Sequence, residues 1–112
     1  MKIDSHQHFW HYNPIKGAWI TDEMKVIRRN FLPADLEPIL KEQNFDGCVA
    51  VQADQSENEN WFLLNLAKAN PWIKGVVGWL DLKAGNLESR LEECQKHDQF
   101  KGIRHIIQAE PD

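Results

Sequence analysis

The sequence predicts an α/β protein whose strands run parallel and are buried on both faces, and three observations carry that prediction. Short apolar runs follow glycines three times: Asp46-Gly47 before Cys48-Val49-Ala50-Val51, Lys74-Gly75 before Val76-Val77-Gly78-Trp79-Leu80, and Lys101-Gly102 before Ile103-Arg104-His105-Ile106-Ile107. Gly47, Gly75 and Gly102 are spaced 28 and 27 residues apart. Between these runs lie segments with apolar residues at helical spacing, so strand and helix alternate. Near-continuous, largely β-branched runs suit a sheet covered on both sides.

The first strand candidate is Lys2 to His8. Residues 9–32 follow as one loop, far longer than the roughly two to six residues usual between a strand and its helix. Pro33 in a first turn, with Leu36, Ile39 and Leu40 behind it, predicts a first helix ending near Asn44. After the Cys48 strand, Ser56-Glu57-Asn58-Glu59 has the pattern of a capping box. Phe62, Leu63, Leu66 and Ala67 share one face of the second helix, and Asn70-Pro71 stops it. The third helix opens at Asn86, with Leu87, Leu91 and Cys94 as its buried stripe.

Such a repeat closes as an eightfold βα barrel (a TIM barrel) or opens as a doubly wound sheet. No Gly-x-Gly-x-x-Gly follows any strand, which removes the dinucleotide-binding form of the open sheet and favours the barrel. Complete barrels run to about 250 residues and at least about 200. The 112 residues are therefore expected to form one unit, the amino-terminal half of a barrel with about four parallel strands and three helices. Its two open edges predict a truncated chain or a half-barrel that self-associates as a homo-oligomer.

Thirteen Lys and Arg against seventeen Asp and Glu give a net charge of -4, which argues against nucleic-acid or anionic-membrane partners. The start has no apolar run of secretory length, and 75–80, the longest apolar or glycine stretch, is far too short to span a bilayer, so a cytoplasmic location is expected. Cys48 and Cys94 lack the count and spacing of a disulfide framework or a cysteine zinc site and read as buried thiols. With no Gly-x-Ser-x-Gly elbow and no phosphate-binding loop, serine hydrolases and P-loop nucleotide hydrolases drop out.

Strand residues two apart share a face, so Asp4, His6 and His8 project together. Two imidazoles so placed suit a divalent metal such as zinc, with Asp4 orienting a ligand from behind. On the long loop, Trp10, Tyr12 and Trp19 have the faces to stack on a flat or cyclic substrate. Arg28 and Arg29 have the donors to hold a carboxylate or polyol oxygen. The competing reading is that these side chains merely pack the loop. Arg104 and His105 interrupt an apolar run, where a charge is costly unless it is paired or faces a wet site, and so point to a pocket. Gln52, Gln108 and Glu110 follow strand ends and are weaker candidates for the same mouth. His97 is expected to complement a helix dipole, and His11 to be a loop surface residue.

The residues Ile3-Asp4-Ser5-His6-Gln7-His8-Phe9-Trp10, Asn30-Phe31-Leu32-Pro33-Ala34-Asp35-Leu36, Val51-Gln52-Ala53, Gly75 to Leu82 and Gly102-Ile103-Arg104-His105 resemble the amidohydrolase-related TIM-barrel hydrolases, in the sugar-lactonase group that includes L-fuconolactonases and L-rhamnonolactonases. The resemblance runs through the whole chain. It implies hydrolysis of an aldonolactone to the aldonic acid by attack of water on the ring carbonyl, with a metal, or in metal-independent members cationic and polar groups, stabilising the oxyanion. By that resemblance His6 and His8 match the first-strand motif and are metal ligands, and Arg104 and His105 match the fourth-strand motif near the substrate and are catalytic; Trp10, Trp19, Arg28 and Gln52, read from the loop and a strand end, are the candidates for binding substrate. The general base of the family's pattern would fall beyond Asp112. The alternative is a non-catalytic half-barrel that binds sugar acids.

Overall fold

The computed structural model describes residues 1–111, arranged as three βα units and a fourth strand in one sheet. The strands are β1 (Ile3–Gln7), β2 (Gly47–Val51), β3 (Ile73–Gly78) and β4 (Phe100–Ile103). They pair in the order β1-β2-β3-β4, every pair parallel. Between them run α1 (Pro33–Glu42), α2 (Glu57–Ala69) and α3 (Leu87–Gln95), with short 3-10 turns at Asp22–Ile27 and Ile107–Ala109. This is half of a βα barrel, as the strand–helix rhythm predicts.

Each helix has a local cause. Pro33 starts α1, where its missing N–H is not needed, and the Leu32 N–H donates to the Asp35 carboxylate at 3.0 Å. Asn44 ends it in the left-handed region at φ 61°, while the N–H groups of Asn44 and Phe45 bond back to Lys41 and Leu40. That is a Schellman ending, with Phe45 packed on the Leu40 side of the core. Leu36 joins this packing, but Ile39 stays 55% exposed.

α2 departs from expectation in an instructive way. Ser56 caps the helix by position only, with no side-chain bond, the Glu59 N–H going to the Ser56 carbonyl instead, while the Glu59 carboxylate turns to the backbone N–H groups of Ala53 and Asp54 at 2.7 and 2.9 Å. The capping box is therefore replaced by a clasp on the loop that follows β2. The face of α2 turned to the sheet is Asn60, Leu63, Leu64 and Ala67, while Phe62 and Leu66 are half-buried beside it. In α3 only Cys94 is buried; Leu87 and Leu91 are half-exposed.

Two strands end earlier than their apolar runs. Trp79 leaves β3 because the Asn60 side chain takes both of its backbone groups, donating to the Trp79 carbonyl and accepting from the Trp79 N–H at 2.7 Å each. Ladder pairing then stops for β4 too: Arg104 N–H reaches the Gly78 carbonyl at 2.9 Å, and beyond Gly78 β3 has no further rung. Arg104 and His105 thus lie just past the strand rather than inside it. The glycines that open and close this sheet are required sterically. A Cβ on Gly47 would strike the Trp72 carbonyl, and one on Gly78 would strike the Asn60 amide oxygen.

The core gathers Phe9, Leu40, Cys48, Ala50, Leu63, Leu64, Ala67, Ile73 and Val76 between sheet and helices. On the outside, Arg90 of α3 grips Glu57 of α2 through two hydrogen bonds of 3.0 and 2.7 Å. Both side chains are about one-third exposed, at 34% and 37%, so water screens the pair. Arg90→Ala is accordingly expected to leave the midpoint of a denaturant titration close to that of the wild type.

Candidate active site

The first residue beyond each strand is polar or amphipathic: His8 after β1, Gln52 after β2, Trp79 after β3 and Arg104 after β4. These four positions lie at the carboxyl ends of parallel strands, where βα barrels place their chemistry. Backbone bonds lock them in place. Gln52 N–H donates to the Val77 carbonyl at 2.8 Å, and Arg104 N–H to that of Gly78.

The two imidazoles converge. Nε2 of His6 and Nε2 of His8 are 3.1 Å apart, with the rings edge to face. An ion about 2.05 Å from both would see them at an angle of roughly 100°, close to tetrahedral. His8 Nδ1 lies 3.0 Å from the Val51 carbonyl, which can only accept; Nδ1 therefore carries the proton, and Nε2 is left unprotonated, an acceptor for His6 Nε2–H whose lone pair an ion could take in place of that proton. Burial, with smaller contributions from the neighbouring His6 and Arg104, pushes the His8 pKa below the usual imidazole value, against an opposing pull from its bond to Val51. The ring is thus kept in its neutral, ligating form. The pair fits a divalent metal as two of its ligands; a catalytic zinc takes about three from protein, and among the described residues no group of three His, Cys, Asp or Glu side chains stands ready to hold an ion. Asp4 does not touch either ring. Its carboxylate accepts from the His6 backbone N–H at 3.1 Å and from the Gln7 amide, so it fixes the strand beneath His6.

Arg104 and Gln52 form a reciprocal clamp. Gln52 Oε1 accepts from Arg104 Nε and Nη2 at 3.2 and 2.7 Å, the Gln52 carbonyl accepts from Nη2 at 2.9 Å, and Gln52 Nε2 donates back to the Arg104 carbonyl at 3.3 Å. Gln52 is fully buried, and Arg104 lines the main cavity. Among the described residues no acceptor meets Nη1 of Arg104, so one edge of the guanidinium remains for a ligand.

That cavity holds about 440 Å³ beneath the long first loop. One wall is His8, Arg104 and Ile106; the loop contributes Trp10, His11, Tyr12, Lys16 and Trp19; α2 and the segment before it contribute Asp54, Glu59 and Phe62. The loop is pinned at its base by the Trp10–Phe31 bridge, with N–H···O bonds of 2.9 Å in both directions, and at its tip by the Lys16–Asp54 ion pair at 2.9 Å.

The other expected site residues have different surroundings. Arg28 does not line the cavity; its guanidinium holds the Ile20 carbonyl at 3.0 and 3.2 Å and pairs with Asp22 at 2.8 Å, bracing the loop. Arg29 lies over the Phe31 ring and pairs with Asp35. His105 has both ring nitrogens engaged, Nδ1 by the Trp79 indole N–H at 3.0 Å and Nε2 by Glu110. It is absent from the cavity wall, as is Gln108. His97 stacks edge-on against Trp61, and exposed His11 sits beside Phe62. Sequence reasoning missed Glu59 as a site residue because its spacing from Ser56 reads as helix capping. No local signal distinguishes a cap from a clasp.

Parallel βα units with polar side chains gathered at one end of the sheet define the class as a βα barrel, present here in half. The match to a sequence model described as amidohydrolase covers residues 3–112, and the chain belongs to that family. An L-fucono-1,5-lactonase from Burkholderia multivorans is 41% identical over 112 residues, all of this chain and 38% of the relative. Another L-fucono-1,5-lactonase, from Burkholderia ambifaria, is 34% identical over 107 residues, 96% of this chain and 37% of the relative. The crystal structure of an amidohydrolase from Burkholderia multivorans with bound zinc superimposes with a TM-score of 0.94 at 41% identity, over 100% of this chain and 39% of that one. The chain thus spans about two-fifths of the length of the relatives it matches. Among the described residues no helix is long and apolar enough to cross a membrane.

Proposed function

We propose that this chain supplies the metal-binding and carbonyl-polarising half of a site that hydrolyses a six-carbon aldono-1,5-lactone, acting in the cytoplasm. The observation that carries the reading is the clamped Arg104 guanidinium, with one free edge, in the same cavity wall as His8. The names of the two lactonase relatives support the substrate class, and the zinc in the structural neighbour supports zinc as the ion.

Water adds to the lactone carbonyl carbon, the carbonyl oxygen gathers negative charge, and as the adduct collapses the ring C–O bond breaks, its oxygen taking up the proton that the water loses, to leave a hydroxy acid. His6 and His8 would hold a divalent ion, which when bound supplies Lewis-acid polarisation. Arg104 Nη1 is held ready to donate to the developing oxyanion. Because Gln52 fixes the guanidinium plane beforehand, little reorganisation is needed during reaction. Trp10 and Trp19 offer ring faces to the sugar body. Asp4 steadies His6, and His105 steadies Trp79, while Arg28 holds the loop in shape. The unpaired ladders of β1 and β4 are the edges through which the rest of a barrel, or a second copy, completes the enclosure.

Acid release from an aldono-1,5-lactone tests this in a barrel completed with the carboxyl-terminal part of the Burkholderia multivorans lactonase. Arg104→Ala is expected to lower kcat/KM at least about tenfold, about 1.4 kcal/mol of transition-state stabilisation. A rate equal to that of the unmutated barrel would overturn the assignment.

A further inference from the structure

We infer that Glu59 determines specificity for the hydroxyl-bearing part of the ligand; this rests on the lactone reading above and deepens it. Glu59 is only 9% exposed and lines the cavity. One carboxylate oxygen, Oε2, takes both backbone N–H groups of the segment after β2. Among the described residues no donor meets the other, Oε1; it is not a buried atom, so Glu59 presents to the cavity it lines one oxygen fixed by the backbone and one open to a ligand or to water. Burial raises the pKa of this carboxyl above its usual value, the two N–H bonds acting against that shift.

A carboxylate oxygen whose partner oxygen is already held by two backbone N–H groups is an acceptor fixed in place, and a ligand hydroxyl is a donor that a bare ring lacks. Aromatic walls surround it: Phe62 lies on the same helix, with Trp10, Tyr12 and Trp19 opposite on the loop. Aromatic faces with a charged acceptor at their edge suit a polyhydroxylated ring, whose C–H face stacks while its hydroxyl donates. Asp54 and Lys16 at this end pair with each other, and His11 lies against Phe62, so among the described residues the polyol end offers no unpaired Lys or Arg for a ligand carboxylate. The ligand class is a neutral, hydroxylated δ-lactone.

Lactams are stable stand-ins that allow the chain itself to be tested by calorimetric titration without turnover. A polyhydroxylated δ-lactam is expected to bind the wild type at least about tenfold more tightly than δ-valerolactam. Glu59→Gln keeps an oxygen for Ala53 and Asp54 but turns the free acceptor into a donor. It is expected to erase that preference while leaving δ-valerolactam affinity within about twofold. Parallel weakening of both lactams would mean a purely structural role and overturn the inference. Equal wild-type affinity for the two lactams, which requires no variant to fold, overturns it alone; a wild type that binds neither overturns the lactone reading as well.

Discussion

Zinc affinity is expected to fall by on the order of a hundredfold or more when His6 and His8 are both replaced by alanine, since loss of even an outer-sphere partner of a ligand costs about ten- to a hundredfold. The geometry behind this is the 3.1 Å approach of the two Nε2 atoms, with the Val51 carbonyl fixing the tautomer of His8. A competition titration against a chromophoric chelator reads the affinity directly and needs no catalytic turnover. His8→Ala alone is expected to remove most of the binding, because His8 is the ring held by a backbone bond and half-buried, whereas His6 is exposed. Unchanged zinc affinity in the double variant would show that the pair is structural.

A second large effect is expected at Asn60. This fully buried side chain donates to the Trp79 carbonyl and accepts from the Trp79 N–H, which ends β3 and turns Trp79 toward His105. Asn60→Ala would leave a backbone donor and acceptor unsatisfied in the interior and remove packing beside Gly78, for a loss of about 3 kcal/mol. Urea unfolding followed by tryptophan fluorescence measures it. A loss below about 0.5 kcal/mol, the level of an ordinary surface change, would mean that water replaces the amide at no cost. Asn60→Asp is a sharper comparison: it keeps the acceptor for Trp79 N–H and lacks the donor for the carbonyl.

The parallel sheet was legible because glycine-led apolar runs recur at nearly constant intervals and because strands buried on both faces have little alternation to confuse. The ends of β3 and β4 were not legible. The runs continue through Trp79-Leu80 and Ile106-Ile107, and what stops the strands is a side chain from α2, nineteen residues away in the case of Asn60 and Trp79. The His6–His8 juxtaposition could be read from period-two spacing, since strand geometry alone brings alternate residues to one face. The roles of Gln52 and Glu59 could not. Gln52 meets Arg104 across a separation of 52 residues, and Glu59 matches a common local motif that tertiary structure overrides. Arg28 looked like a ligand for oxyanions because its sequence context says nothing of Ile20, whose carbonyl it holds.

Lys16 and Asp54 are both well exposed, at 64% and 39%, and their ion pair ties the tip of the first loop to the rim of the cavity. A solvent-facing tie of this kind weakens as ionic strength rises, because the screening length shrinks from about 10 Å at 0.1 M salt to about 3 Å at 1 M. Looser docking of the loop tip on the cavity rim is the expected consequence of high salt, even though the ligand class inferred here carries no charge, so variants of this protein call for comparison in buffers of matched conductivity.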